Sequence, residues 1–102
     1  EIKGDRQSLG YRSSDPDYPF RVHEISVEKQ TSFYLITDGM IDQVGDETGL
    51  PMGRSHLLDF LKKIQEKSMP EQKREMTRMF EDFKGSEEQR DDVTAAGFCL
   101  YP

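Results

Sequence analysis

Apolar and polar positions are arranged differently in successive parts of this chain. In residues 20–27, Phe20, Val22, Ile25 and Val27 stand among Arg21, His23, Glu24 and Ser26. The alternation shifts once, between Val22 and Ile25, which predicts a strand with a bulge. Lys29-Gln30-Thr31 predicts a turn. Phe33-Tyr34-Leu35-Ile36 then forms a continuous β-favouring run that stops at Asp38-Gly39, as a buried strand does. The two strands are expected to pair antiparallel. A helix is expected from Ser55, as its cap, to about Lys67, with Leu57, Leu58, Leu61 and Ile64 on one face. Ser68-Met69-Pro70-Glu71 fits a capping box with Pro in the first turn of a second helix. That helix should run to Lys84 and end at Gly85, burying Met76, Met79, Phe80 and Phe83. Val93 to Leu100 predicts a last strand. Turn-rich residues 10–19 and Gly-rich residues 45–53 are expected to be loops. The order is strand, strand, helix, helix, strand. This is an α+β arrangement with an antiparallel sheet and a helix pair on one face.

Composition narrows the function classes. The chain has 102 residues, room for one domain. Lys plus Arg number 14 against 20 Asp plus Glu, a net charge of −6. That balance argues against nucleic acid or an anionic membrane surface as a main partner. It suits either a site for divalent cations or simple solubility. The single cysteine, Cys99, provides no disulfide framework and fits a reducing compartment, so a cytoplasmic location is expected. No apolar stretch is long enough for a transmembrane helix. The opening residues, Glu1 to Arg6, read like the end of a hairpin entered midway.

Two acidic positions lie at strand ends. Asp38 ends the most apolar run, and Asp91-Asp92 precedes the last strand. If those strands neighbour each other antiparallel, Asp38 and Asp91 face each other across a short gap. Two carboxylates about 4 Å apart repel by roughly 4 kcal/mol at an effective dielectric near 20. Such a pair calls for a proton or a cation, and hard oxygen donors suit Mg²⁺ or Mn²⁺. On spacing alone the commoner alternative is a plain Asp-Gly turn and a solvated Asp-Asp loop. His23 and His56 have no ligand-spaced partner and are expected at the surface or in packing.

The motifs in their order resemble a known family. Phe33-Tyr34-Leu35-Ile36-Thr37-Asp38-Gly39-Met40-Ile41-Asp42-Gln43 resembles the apolar strand and Thr-Asp-Gly motif of PPM-type (type 2C, SpoIIE-like) protein phosphatases. Asp42-Gln43 followed by Gly45 resembles one bacterial subgroup. Met52-Gly53-Arg54-Ser55-His56-Leu57 resembles the Phe-Gly-x-x-Arg-Leu that opens a helix, with Met for Phe and His for Arg. Asp91-Asp92-Val93-Thr94 resembles the closing Asp-Asp/Asn-x-Thr, and Ser8-Leu9-Gly10 the Leu-Gly before a long loop.

The resemblance implies the C-terminal half of a β-sandwich flanked by helices. Residues 1–102 would then be a partial phosphatase domain whose N-terminal half, with a further metal-binding Asp, lies outside the chain. It implies Asp38 and Asp91 as ligands in a two-metal Mn²⁺ or Mg²⁺ site. Asp92 would support that site or cap the strand. Asp42 would either support a ligand from behind or be an exposed loop carboxylate. Thr94 would be a structural hydroxyl. The implied reaction is hydrolysis of phosphoserine or phosphothreonine on a protein by a metal-activated water. In bacterial relatives the usual target is an anti-sigma-factor antagonist. The 102-residue chain alone is expected to be inactive and to bury an uncovered sheet face, most simply as a symmetric dimer. The alternative is a non-catalytic acidic α+β module that binds a protein partner.

Overall fold

The computed structural model describes residues 1–102. Its elements are β1 (Thr31–Ile36), α1 (Asp38–Ile41), α2 (Gly53–Ile64), α3 (Met69–Lys84) and β2 (Ala95–Leu100). The β1 and β2 strands form a two-stranded antiparallel sheet, paired from Thr31 with Leu100 to Ile36 with Ala95. The architecture is α+β, as the pattern predicts, but with two strands rather than three.

Residues 20–27 are not a strand, which corrects the expected pairing with residues 33–36. The partner of β1 is β2, with paired residues 59 to 69 positions apart along the chain. Alternation makes a segment competent for a strand, but the ladder needs a neighbour with free N–H and C=O groups. Residues 20–27 pair with no strand. The Arg21 amide and guanidinium instead donate to the Asp5 carboxylate, and Phe20 packs edge-on against Tyr18. Val22 is 86% exposed. The hairpin end expected at Glu1 to Arg6 is likewise absent.

The two long helices follow their sequence signals closely. At the start of α3 the Ser68 amide and hydroxyl both donate to the Glu71 carboxylate, closing the predicted capping box. Those two contacts hold the Glu71 carboxyl below its ordinary range, the Ser68 hydroxyl contributing most. Helix α2 begins at Gly53, with Met52 before it, so Ser55 lies inside the first turn and is not the cap.

Met40, Met52, Leu57 and Phe80 form the buried core. Ile36, Ile41, Leu61, Met76, Met79, Phe83 and Val93 pack around them. The predicted Met and Phe stripe of α3 is therefore packing. Side chains alternate across a strand, so Tyr34 shares a sheet face with its pair partner Gly97. This face meets α3: the Tyr34 hydroxyl is 2.7 Å from Gln72 Oε1, and Met69 lies beside Gly97. The opposite face carries Phe33 stacked on Phe98, with Leu35. Leu35 is 62% exposed and Phe98 44%. No helix is long and apolar enough to cross a membrane.

Candidate metal-binding site at the end of the strand ladder

The site grows from the end of the β1–β2 ladder. Past the last pair, Ile36 with Ala95, the Thr37 amide donates to the Thr94 carbonyl at 3.0 Å. The Thr94 amide in turn donates to the Thr37 hydroxyl at 2.9 Å. The Thr37 hydroxyl also lies 3.4 Å from the Thr94 carbonyl and 3.5 Å from that of Asp92. Thr37 thus replaces one rung of the ladder with its side chain, and β1 turns directly into α1. Of the two threonines, Thr37 supplies the hydroxyl that closes this end.

Gly39 explains the Asp-Gly motif. It lies within α1 and is buried, and its φ is not positive. The motif is therefore not a turn in which glycine supplies a left-handed residue. The requirement is room: a Cβ on Gly39 would collide with the Asp92 carbonyl oxygen. The absence of a side chain lets the 91–94 segment lie against the first turn of α1. Asp38 opens that helix, and Asp91-Asp92 sits on the segment touching it. Asp38 thus directly follows β1, and Asp91 lies four residues before β2.

Each acid is used differently. Asp38, Asp42, Asp91 and Asp92 are all exposed. Asp91 Oδ1 accepts the Asp92 amide at 2.7 Å, which orients that carboxylate. Asp42 ends α1, and its backbone amide, not its carboxylate, reaches the Asp38 carbonyl at 2.9 Å. Asp92 likewise contributes backbone groups to the junction. The donor set at this end is hard carboxylate oxygen, which fits a divalent cation of the Mg²⁺ or Mn²⁺ kind. No group of three or more His, Cys, Asp or Glu side chains is gathered for a metal anywhere in the chain. His56 packs edge-on against Phe83 at 5.4 Å, and His23 is exposed.

A second junction joins the same two stretches of chain. The Asp46 carboxylate accepts the Ser86 amide at 2.9 Å and the Ser86 hydroxyl at 3.2 Å. The Ser86 amide contributes most to holding this carboxyl below its ordinary range. Asp46 fills the space beside Gly85, whose φ of 54° and missing Cβ both suit glycine. Between the two junctions lies Gln43, 1% exposed, whose Nε2 donates to the carbonyls of Val44 at 2.9 Å and Glu88 at 3.0 Å. Sequence reasoning gave neither Asp46 nor Gln43 a role. The Asp42-Gln43 motif is the visible hint, and it carries no packing role by itself.

No curated protein matches the chain. A solved structure of the SiaA-PP2C domain of Pseudomonas aeruginosa is similar, with 36% identity and a TM-score of 0.64. The match covers 66% of this chain and 27% of that one, so the chain spans about a quarter of the solved domain. The family model for stage II sporulation protein E (SpoIIE) matches residues 7–99. By that match the chain belongs to the SpoIIE family.

Proposed function

We propose that this chain forms the C-terminal part of a metal-dependent protein phosphatase domain that hydrolyses phosphoserine or phosphothreonine. One observation carries the proposal: Asp38 and Asp91 are borne on two segments that touch at the end of the ladder, with no cation of the chain paired to either. Asp38 and Asp91 would be ligands for Mn²⁺ or Mg²⁺, with the rest of the ligand set supplied from outside this chain. A bound divalent metal lowers the pKa of its water and offsets charge on phosphoryl oxygens. The chain's own contribution is positional. The Thr37 hydroxyl and the bare Cα of Gly39 bring the two segments together, and the Asp92 amide orients Asp91. The substrate class is a phosphorylated protein, with an anti-sigma-factor antagonist in bacterial signalling as the proposed target. The cytoplasm is the proposed compartment.

The test is a phosphopeptide assay on the intact protein with Mn²⁺. Asp38→Ala and Asp91→Ala should each remove turnover while leaving the thermal unfolding curve in place. Near-normal turnover by Asp38→Ala would refute the assignment. The exposed Leu35 and Phe98 favour a second reading, a module that binds a protein through this sheet face. Loss of partner binding on Leu35→Lys, with no phosphatase activity in the intact wild type, would establish that reading instead.

A further inference from the structure

We propose that Gln43 is a positioning residue that sets the separation of Asp38 and Asp91. The inference rests on the reading of those two acids as metal ligands. Its basis is a side chain that is polar and yet only 1% exposed. Gln43 directly follows Asp42, the residue that ends α1. Its backbone carbonyl accepts the Met52 amide at 2.9 Å, tying it to the start of α2. Its side chain reaches 45 residues along the chain to the Glu88 carbonyl, three residues before Asp91. One residue therefore links the end of the Asp38 helix, the entry to α2 and the segment that delivers Asp91.

The chemistry of the side chain matters. Both contacts are donations from one NH₂ group to carbonyl oxygens. The opposite amide orientation would set oxygen against oxygen at both. Gln43 Oε1 is buried without a partner. An unpaired buried acceptor is unfavourable. The side chain is nevertheless held there, so the two donations determine its place. A purely apolar residue would fill the same volume without fixing the height of the 88–91 segment over α1. The Gln89 amide extends the same fixation, donating to the Asp91 carbonyl at 3.0 Å.

The experiment measures Mn²⁺ binding to the intact protein from the free-ion electron paramagnetic resonance signal. Thermal unfolding and the Mn²⁺ dependence of phosphatase rate are read alongside. Gln43→Met keeps the length and suits a buried position but removes both donations. Gln43→Asn keeps the amide but is one methylene too short to span both carbonyls. Each should weaken Mn²⁺ binding by about 10- to 100-fold, the usual effect of losing a group that orients metal ligands. The half-activating Mn²⁺ concentration should rise by the same factor, with the rate recovered at saturating Mn²⁺. Asp46→Asn weakens the other tie between the same stretches and should leave Mn²⁺ affinity unchanged. Unchanged affinity in both Gln43 variants overturns the proposal. So does an equal loss in Asp46→Asn, which would mean general loosening. Failure of both Gln43 variants to fold also overturns it, since the role is then structural alone. Undiminished Mn²⁺ binding by Asp38→Ala and Asp91→Ala together would locate the error in the ligand assignment itself.

Discussion

The stretches 37–46 and 83–94 are joined at Thr37, at Gln43 and at Asp46, and the two outer junctions use acids in opposite ways. At the Asp46 junction the carboxylate is consumed by holding the fold: it accepts two donations from Ser86 and its pKa is lowered by them. At the Thr37 junction a hydroxyl and backbone groups do the holding. There, Asp38 is left exposed, and Asp91 keeps its second oxygen free. A carboxylate already satisfied by the chain has little left to offer an ion. One with an oxygen that the chain leaves free has ligand capacity in reserve.

The sharpest way to break this contrast is to remove the reserved acids. Asp38→Ala or Asp91→Ala in the intact protein should lower turnover by roughly three orders of magnitude, since metal-based charge stabilisation is worth several kcal/mol and each 1.36 kcal/mol is tenfold. Thermal melting should hardly move. A melting point that falls with activity would place these acids in the same structural class as Asp46. Next comes Thr37→Val, which keeps the shape and deletes the hydroxyl. Loss of that contact should cost about 1 kcal/mol of stability, read from chemical denaturation. An unchanged midpoint would mean the backbone bond to Thr94 suffices.

The Asp46 junction has a pH signature. Its folded pKa lies below the unfolded one, so the contact stabilises fully above the unfolded value and fades as pH drops through the folded value. Asp46→Asn should therefore melt at a lower temperature than wild type near neutral pH. The gap should shrink below about pH 4, where an unfolded carboxylate gains its proton. A gap independent of pH would show that geometry, not charge, makes this contact. The smallest effect is expected of Asp42→Asn. Only the backbone amide of Asp42 reaches toward the site, so turnover should stay near wild type. A tenfold loss would show that its carboxylate supports a ligand.

What could be read from the sequence follows the range of the interactions. The capping box at Ser68 and Glu71, the Met and Phe face of α3 and the apolar run of β1 are local patterns, and each is found where predicted. The strand-end position of Asp38 and Asp91 was visible for the same reason. Residues 20–27 carried a sound strand pattern, but pattern does not name a partner. Gln43 and Asp46 were hidden because their partners lie some forty residues away. A Gln buried by such a contact reads locally like any surface Gln. The Asp-Gly pair was visible as a motif, yet its cause was not, since the Asp92 carbonyl that excludes a Cβ belongs to a distant segment.

That exclusion at Gly39 supplies a laboratory reagent. Gly39→Ala adds one methyl group and changes no charge, so the variant keeps the isoelectric point, both acids and every exposed surface group of the wild type. The methyl would nonetheless wedge the two segments apart, because backbone rather than a flexible side chain stands in its way. In cells, such a variant separates what the protein does by chemistry from what it does by being present, without the altered charge that an Asp38 or Asp91 replacement introduces.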